Sequence, residues 1–195
     1  MLSQVPFWDS VAGTKTFSHP LDLNRFRAFV DRGARILDYG CGYGRLSGEL
    51  YAAGYRDVTG VDPSPRMIER SRVAYPQITF DVLKGTSLPF ADASFDAVLL
   101  FSVLTCVIDD DGQRAIVADI ARVLRRGGIV YVSDHRKNQE ICDRYSVGSI
   151  GTSTTDGLSS TRCAALTAAA SSSSVVARQL HAPSAADAAA KSMLP

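Results

Sequence analysis

Apolar residues fall into two alternating rhythms along this chain. Residues 23, 26, 29 and 30 repeat at helical spacing, which predicts a first helix over residues 21–30. Short apolar runs then predict strands at residues 34–38, 57–62, 78–83, 97–101 and 129–133. Between them lie amphipathic stretches at residues 45–53, 65–74 and 113–126, the last apolar at 116, 117, 120, 123 and 124. Gly54 is placed to end the second helix and Gly127-Gly128 the last one. Ser64 and Pro65 suit the N-cap and first position of the helix they precede. Alternation over residues 21–134 predicts an α/β fold, a doubly wound, Rossmann-like, mostly parallel sheet with helices on both faces. Residues 1–20 show no such rhythm and read as irregular.

Composition narrows this only a little. The chain has 195 residues, 46% hydrophobic and 21% charged, enough for one domain with a real core. A net charge of +1 gives no field that recruits nucleic acid or an anionic membrane. No apolar run reaches spanning length, and no leader pattern opens the chain, so a cytoplasmic protein is expected. Cys41, Cys106, Cys142 and Cys163 lack metal-ligand spacing, and no metal is expected.

The candidate chemistry sits at Ile36-Leu37-Asp38-Tyr39-Gly40-Cys41-Gly42-Tyr43-Gly44. A strand runs into an acid, then three glycines alternate before a helix begins. Glycines there admit positive φ and close approach of a ligand to the backbone. A dinucleotide loop would read G-x-G-x-x-G. Here an acid stands at the mouth of the turn, which repels phosphate and suits a cation. S-adenosylmethionine (SAM) carries an ammonium and a sulfonium and no phosphate. Asp62 ends the second strand beside this turn, where an acid can accept both ribose hydroxyls.

D-x-G-x-G-x-G resembles motif I of the class I SAM-dependent methyltransferases. Val61-Asp62-Pro63-Ser64-Pro65-Arg66-Met67-Ile68-Glu69 resembles that family's second motif. Leu88-Pro89-Phe90-Ala91-Asp92-Ala93-Ser94-Phe95-Asp96 is similar to its L-P-F-x-D-x-S-F-D segment, and Leu124 to Asp134 is similar to its L-K-P-G-G segment. The resemblance covers roughly residues 7–145. It implies SAM as cofactor, a domain over 21–145, and an N-terminal lid over 1–20 with Phe17 and Trp8 as lid residues. Carried over by motif position, Asp38, Gly40, Gly42 and Gly44 shape the methionine end, and Asp62 holds the ribose. Thr86, Leu88 and Phe101 flank the adenine or the methyl path, with Ser102 beside Phe101. Pro63 follows the ribose acid, and Met67 packs near the adenosine or in the core. Thr86 departs from the Asp or Asn common in relatives. A catalytic residue is unassigned; His135, just past the fifth strand, is a weak candidate for a base.

Residues 147–195 contain no Phe, Tyr or Trp, and Ala, Ser and Thr make up 27 of the 49. Such a stretch offers too little apolar surface to offset its ordering entropy, so residues 146–195 read as a disordered tail. Relatives carry further strands and much of the acceptor pocket here. Either a reading-frame shift near residue 147 or a natural tail accounts for the difference. On both accounts the last strands are missing and strand five keeps an exposed edge.

The first functional reading is therefore methyl transfer from SAM to a small molecule, with no nucleic-acid or membrane partner and an unread oligomeric state. The alternatives are a truncated or degenerate domain without activity, and a nicotinamide-dependent oxidoreductase of related fold.

Overall fold

A computed structural model describes residues 4–133, apart from Thr86 and Ile108, and the backbone of residues 174–178. Helix α1 (Val5–Val11) and the short α2 (Leu23–Arg27) precede the sheet. Then come β1 (Ile36–Tyr39), α3 (Arg45–Ala52), β2 (Val58–Asp62), α4 (Pro65–Ala74) and β3 (Thr79–Val82). The chain continues through β4 (Phe95–Phe101), a 3-10 turn (Leu104–Cys106), α5 (Asp110–Val123), β5 (Leu124–Ser133) and β6 (Ser174–Arg178).

The strand order is β3-β2-β1-β4-β5-β6. β1 to β5 pair in parallel, and β6 joins β5 antiparallel. Winding reverses between β1 and β4, and a crevice for ligands opens at the C-terminal ends of strands at such a point. Alternate residues of the strands feed two cores. Ile36 and Leu99 pack with Phe26, Leu46, Leu50 and Tyr55 on one face. Leu37, Val98 and Leu100 pack with Ile116, Ile120 and Val123 of α5 on the other.

Three expectations need correction. The N-terminal segment is not irregular throughout: Val5–Val11 form a helix, with Pro6 in its first turn, where a missing N–H costs nothing. α5 does not run to Arg126. It ends at Val123, and Leu124 is already extended (ψ 130°), because Leu124 pairs with Phe95 and its side chain is buried under the sheet. Strand five is not left with an open edge either. Residues 129–133 pair with residues 174–178, from Ile129 opposite Arg178 to Ser133 opposite Ser174. A short Ser-Val-Val-Ala-Arg run inside a low-complexity stretch has β-branched residues enough to complete a sheet that offers free backbone groups. The rest of the proposed tail lies outside the described residues. Among the described residues no helix is long and apolar enough to cross a membrane.

Candidate functional site

The turn after β1 takes its shape from three glycines at positive φ, Gly40 at 74°, Gly42 at 54° and Gly44 at 79°. Gly44 is the N-cap of α3 in a left-handed conformation, which a side chain would strain. A Cβ at Gly40 would lie 2.5 Å from Val103 Cγ2, so the turn is pressed against the segment that follows β4.

Two carboxylates flank the turn. Asp38, in β1, is buried and accepts from Ser47 Oγ on α3 at 2.6 Å. Asp62, at the end of β2, accepts from the N–H of Gly42 at 2.9 Å and from that of Ser64 at 2.8 Å. Burial raises the carboxyl of Asp38 to about 6, against the Ser47 hydrogen bonds. Burial likewise raises Asp62 to about 6, against its two backbone N–H donors, with Asp9 adding like-charge repulsion. Two buried acids with so little compensation form a corner that attracts a cation. Burial also pushes the Cys41 thiol well above its ordinary range, so this cysteine in the turn is no nucleophile.

The N-terminal segment is docked over this corner. Asp9 accepts from Ser64 Oγ at 2.5 Å and from the N–H of Arg66 at 3.2 Å. Arg70 donates to the carbonyls of Ala12 (2.7 Å) and Lys15 (2.8 Å) and lies 4.0 Å over the Tyr43 ring. Phe17 stacks on Tyr43 (5.4 Å, 4°) and gives its N–H to the Tyr43 hydroxyl. Trp8 tilts against Phe17 at 6.1 Å. A Cβ on Gly42 would come within 3.2 Å of Phe17, so Phe17 borders the turn directly. Further on, Arg45 donates to the His19 carbonyl, and the His19 ring reaches Phe101 at the end of β4.

Residues 36–128 match the family described as a methyltransferase domain. The chain is 31% identical over 143 residues to the eEF1A lysine and N-terminal methyltransferase homolog of Drosophila melanogaster, covering 65% of this chain and 21% of that protein. It is 36% identical over 109 residues to the O-methyltransferase rstn1 of Aspergillus nomiae, covering 53% of this chain and 47% of that protein. A SAM-dependent methyltransferase of Methanosarcina mazei shares the fold, with TM-score 0.58 and 24% identity over 84% of this chain and 80% of that one. Residues 36–128 thus match a methyltransferase domain, in a fold shared with a SAM-dependent methyltransferase. It spans less than half the length of either curated relative. The nicotinamide reading gains no support from these similarities.

SAM is the cofactor of this methyltransferase family, and the residues present suit it. The ammonium and sulfonium of SAM suit a corner with two buried carboxylates, and the glycines of the turn present no side chains of their own. The remaining predicted residues lie as follows. Met67 is buried (1% exposed), and its N–H donates to Ser64 Oγ, so its place is beneath the turn of α4. Pro63 lies between Asp62 and the N-cap Ser64, half-buried. Leu88 packs in the α5 core, with its N–H given to the Asp119 carboxylate and its carbonyl accepting from Arg122 at 2.9 Å. Phe101 ends β4, and Ser102, the next residue, adopts φ 56°, unusual for serine. Thr86 and His135 lie outside the described residues.

Sequence reasoning missed the residues that act through tertiary contacts. Arg122 clamps the L-P-F-x-D segment, donating also to the Phe90 carbonyl (2.7 Å), Asp92 (3.0 Å) and Asp119 (2.7 Å). Asp96, the last acid of that motif, has a structural partner set: the N–H and Nε of Arg35 and the guanidinium of Arg125. Burial opposes its ionisation, yet these donors together hold its pKa below the ordinary value. Ser47, Asp9 and His19 carried no signal in the sequence beyond being polar.

Proposed function

We propose that this chain transfers the methyl group of SAM to a hydroxyl oxygen of a small molecule. The observation that carries the reading is the corner made by Asp38, Asp62 and the glycine turn at the switch point of the sheet. Similarity to an O-methyltransferase over 53% of the chain supports the acceptor class.

In this reading Asp62 accepts the ribose hydroxyls, and the Gly42 and Ser64 N–H groups fix its rotamer. Gly40, Gly42 and Gly44 let the methionine end lie against the backbone, and Asp38, oriented by Ser47, supplies negative potential behind it. Pro63, next to Asp62, borders the adenosine side. Phe101 and Ser102 border the methyl path. The described part of the N-terminal segment, from residue 4 to 20, forms a lid that excludes water, with Phe17 and Trp8 closing over the turn. SAM supplies an activated methyl on a sulfonium, so the chain's own task is positioning and shielding.

Calorimetry with SAM and S-adenosylhomocysteine tests the cofactor site, and release of S-adenosylhomocysteine with panels of phenols, alcohols and peptides tests the acceptor. Micromolar binding and turnover with hydroxyl compounds are expected. Turnover with peptides alone would replace the small-molecule acceptor by a protein, in line with the similarity to an eEF1A methyltransferase homolog. A folded protein that binds neither ligand would make it a degenerate domain.

A further inference from the structure

Residues 17–19 cross the C-terminal edge of the sheet. Phe17 lies on Tyr43 and against Gly42, above the end of β1. Two residues on, the His19 ring is 5.3 Å from the Phe101 ring, at the end of β4. His19 Nε2 lies 3.4 Å from Ser133 Oγ, at the end of β5. The segment thus runs from the half of the crevice that holds the glycine turn to the opposite half. Asp62 ends β2, on the far side of β1 from β4. With the adenosine on the β2 side and the methionine against the turn, the β4–β5 side is left for the acceptor.

His19 is also held in place. Arg45, the first residue of α3, donates to the His19 carbonyl at 2.6 Å and pairs with Glu49 at 2.7 Å. This anchors the histidine backbone to the helix that the glycine turn begins. Beneath the ring the backbone is unusual. Ser102 takes φ 56°, and its N–H donates to the Ser133 carbonyl at 2.7 Å. Strained non-glycine backbone tends to gather at working sites. An imidazole, a serine hydroxyl at the end of β5 and a strained serine at the end of β4 therefore meet at one spot.

We infer that His19 forms the acceptor side of the methyl-transfer site, hydrogen-bonding the acceptor hydroxyl and taking its proton. This rests on the proposed reading of the chain as an O-methyltransferase. The step balances as a displacement. A lone pair of the acceptor oxygen forms the O–CH3 bond as the S–CH3 bond breaks, and that electron pair stays on sulfur. The hydroxyl proton passes to an imidazole nitrogen of His19 and then to solvent. Imidazole suits this role because it gains and loses a proton near neutral pH. Arg45 is the charged side chain bonded to this residue, through the His19 carbonyl.

Two measurements test the assignment. The first needs no acceptor: SAM labelled with 13C on its methyl is bound to the full chain, and nuclear Overhauser effects are recorded from that methyl. Transfer to the His19 ring protons and to Phe101 is expected, and His19→Ala should bind SAM within about threefold of wild type. Transfer to Phe101 without any to His19 would overturn the placement. Failure of the folded chain to bind SAM would overturn the methyltransferase reading itself, a separate outcome. The second uses catechol as the acceptor probe. His19→Ala and His19→Gln should each lower kcat at least 100-fold with KM for SAM little changed, and should abolish the acidic limb of the kcat–pH profile. Equal kcat in wild type and both variants would overturn the proton-transfer role. Where catechol is not turned over, the hydroxyl-acceptor reading fails for this probe class, and the labelled-methyl experiment decides the place of His19.

Discussion

The backbone N–H of Gly42 donates to the Asp62 carboxylate at 2.9 Å, which ties the glycine turn after β1 to the acid that ends β2. Neither part is independent. The turn holds the acid in one rotamer, and the acid holds the turn open. Because Ser64 gives its N–H to the same carboxylate and its hydroxyl to Asp9, the corner also reaches the N-terminal helix.

Removing the acid should therefore cost more than one contact. Asp62→Ala is expected to weaken SAM binding by at least about 2 kcal/mol, the scale of a lost charged hydrogen bond. Asp62→Asn keeps an oxygen for one N–H and should fall between. Calorimetry reads both, and wild-type affinity in Asp62→Ala would remove Asp62 from the ribose role.

SAM affinity should rise with pH between 5 and 7. Asp38 and Asp62 both sit near 6 in the free protein, and a bound cation favours their ionised forms. Binding at pH 6 should accordingly release protons, seen as a binding enthalpy that changes with buffer ionisation heat. The ligand-free fold should show the opposite trend. A carboxyl raised above 3.8 contributes stability that is full below that value and is lost as pH rises through about 6. Tm without ligand should thus fall from pH 5 to pH 7, and the loss should shrink in Asp38→Asn.

Trp8 is the only tryptophan and sits in the helix docked over the corner. SAM binding should change its emission, whereas Arg70→Ala, which deletes the bonds to Ala12 and Lys15, should shift emission before ligand is added. Unchanged emission in both cases would separate the N-terminal segment from the site.

Leu50→Ala should destabilise without touching the chemistry. Leu50 is fully buried between α3 and the sheet, and truncations of this kind cost about 2–5 kcal/mol. A urea midpoint shift is expected, with SAM affinity retained below the transition. Loss of affinity in the still-folded variant would mean that the position of α3 tunes the turn.

The amino-acid sequence alone determined what local chemistry can encode. Short continuous apolar runs specified the strands, because successive side chains of a doubly covered strand face opposite cores, as Ile36 and Leu37 do. Ser64 and Pro65 started α4 where expected, and the glycines at 40, 42 and 44 marked the turn because each needs positive φ. Asp38 and Asp62 were legible since strand ends near a switch point meet in space. Only the tertiary structure decided the rest. The role of Asp96 depended on Arg35 and Arg125, 61 and 29 residues away. Arg122 carried no signal in the sequence, and only the folded L-P-F segment supplies its carbonyl partners. His19 lay 114 residues from Ser133, and no spacing rule announces such a meeting. Leu124 belonged by pattern to a helix, but the strand won because pairing with Phe95 buries it more completely. Local propensity weighs about a kilocalorie at most positions, and long-range burial and pairing outweigh it.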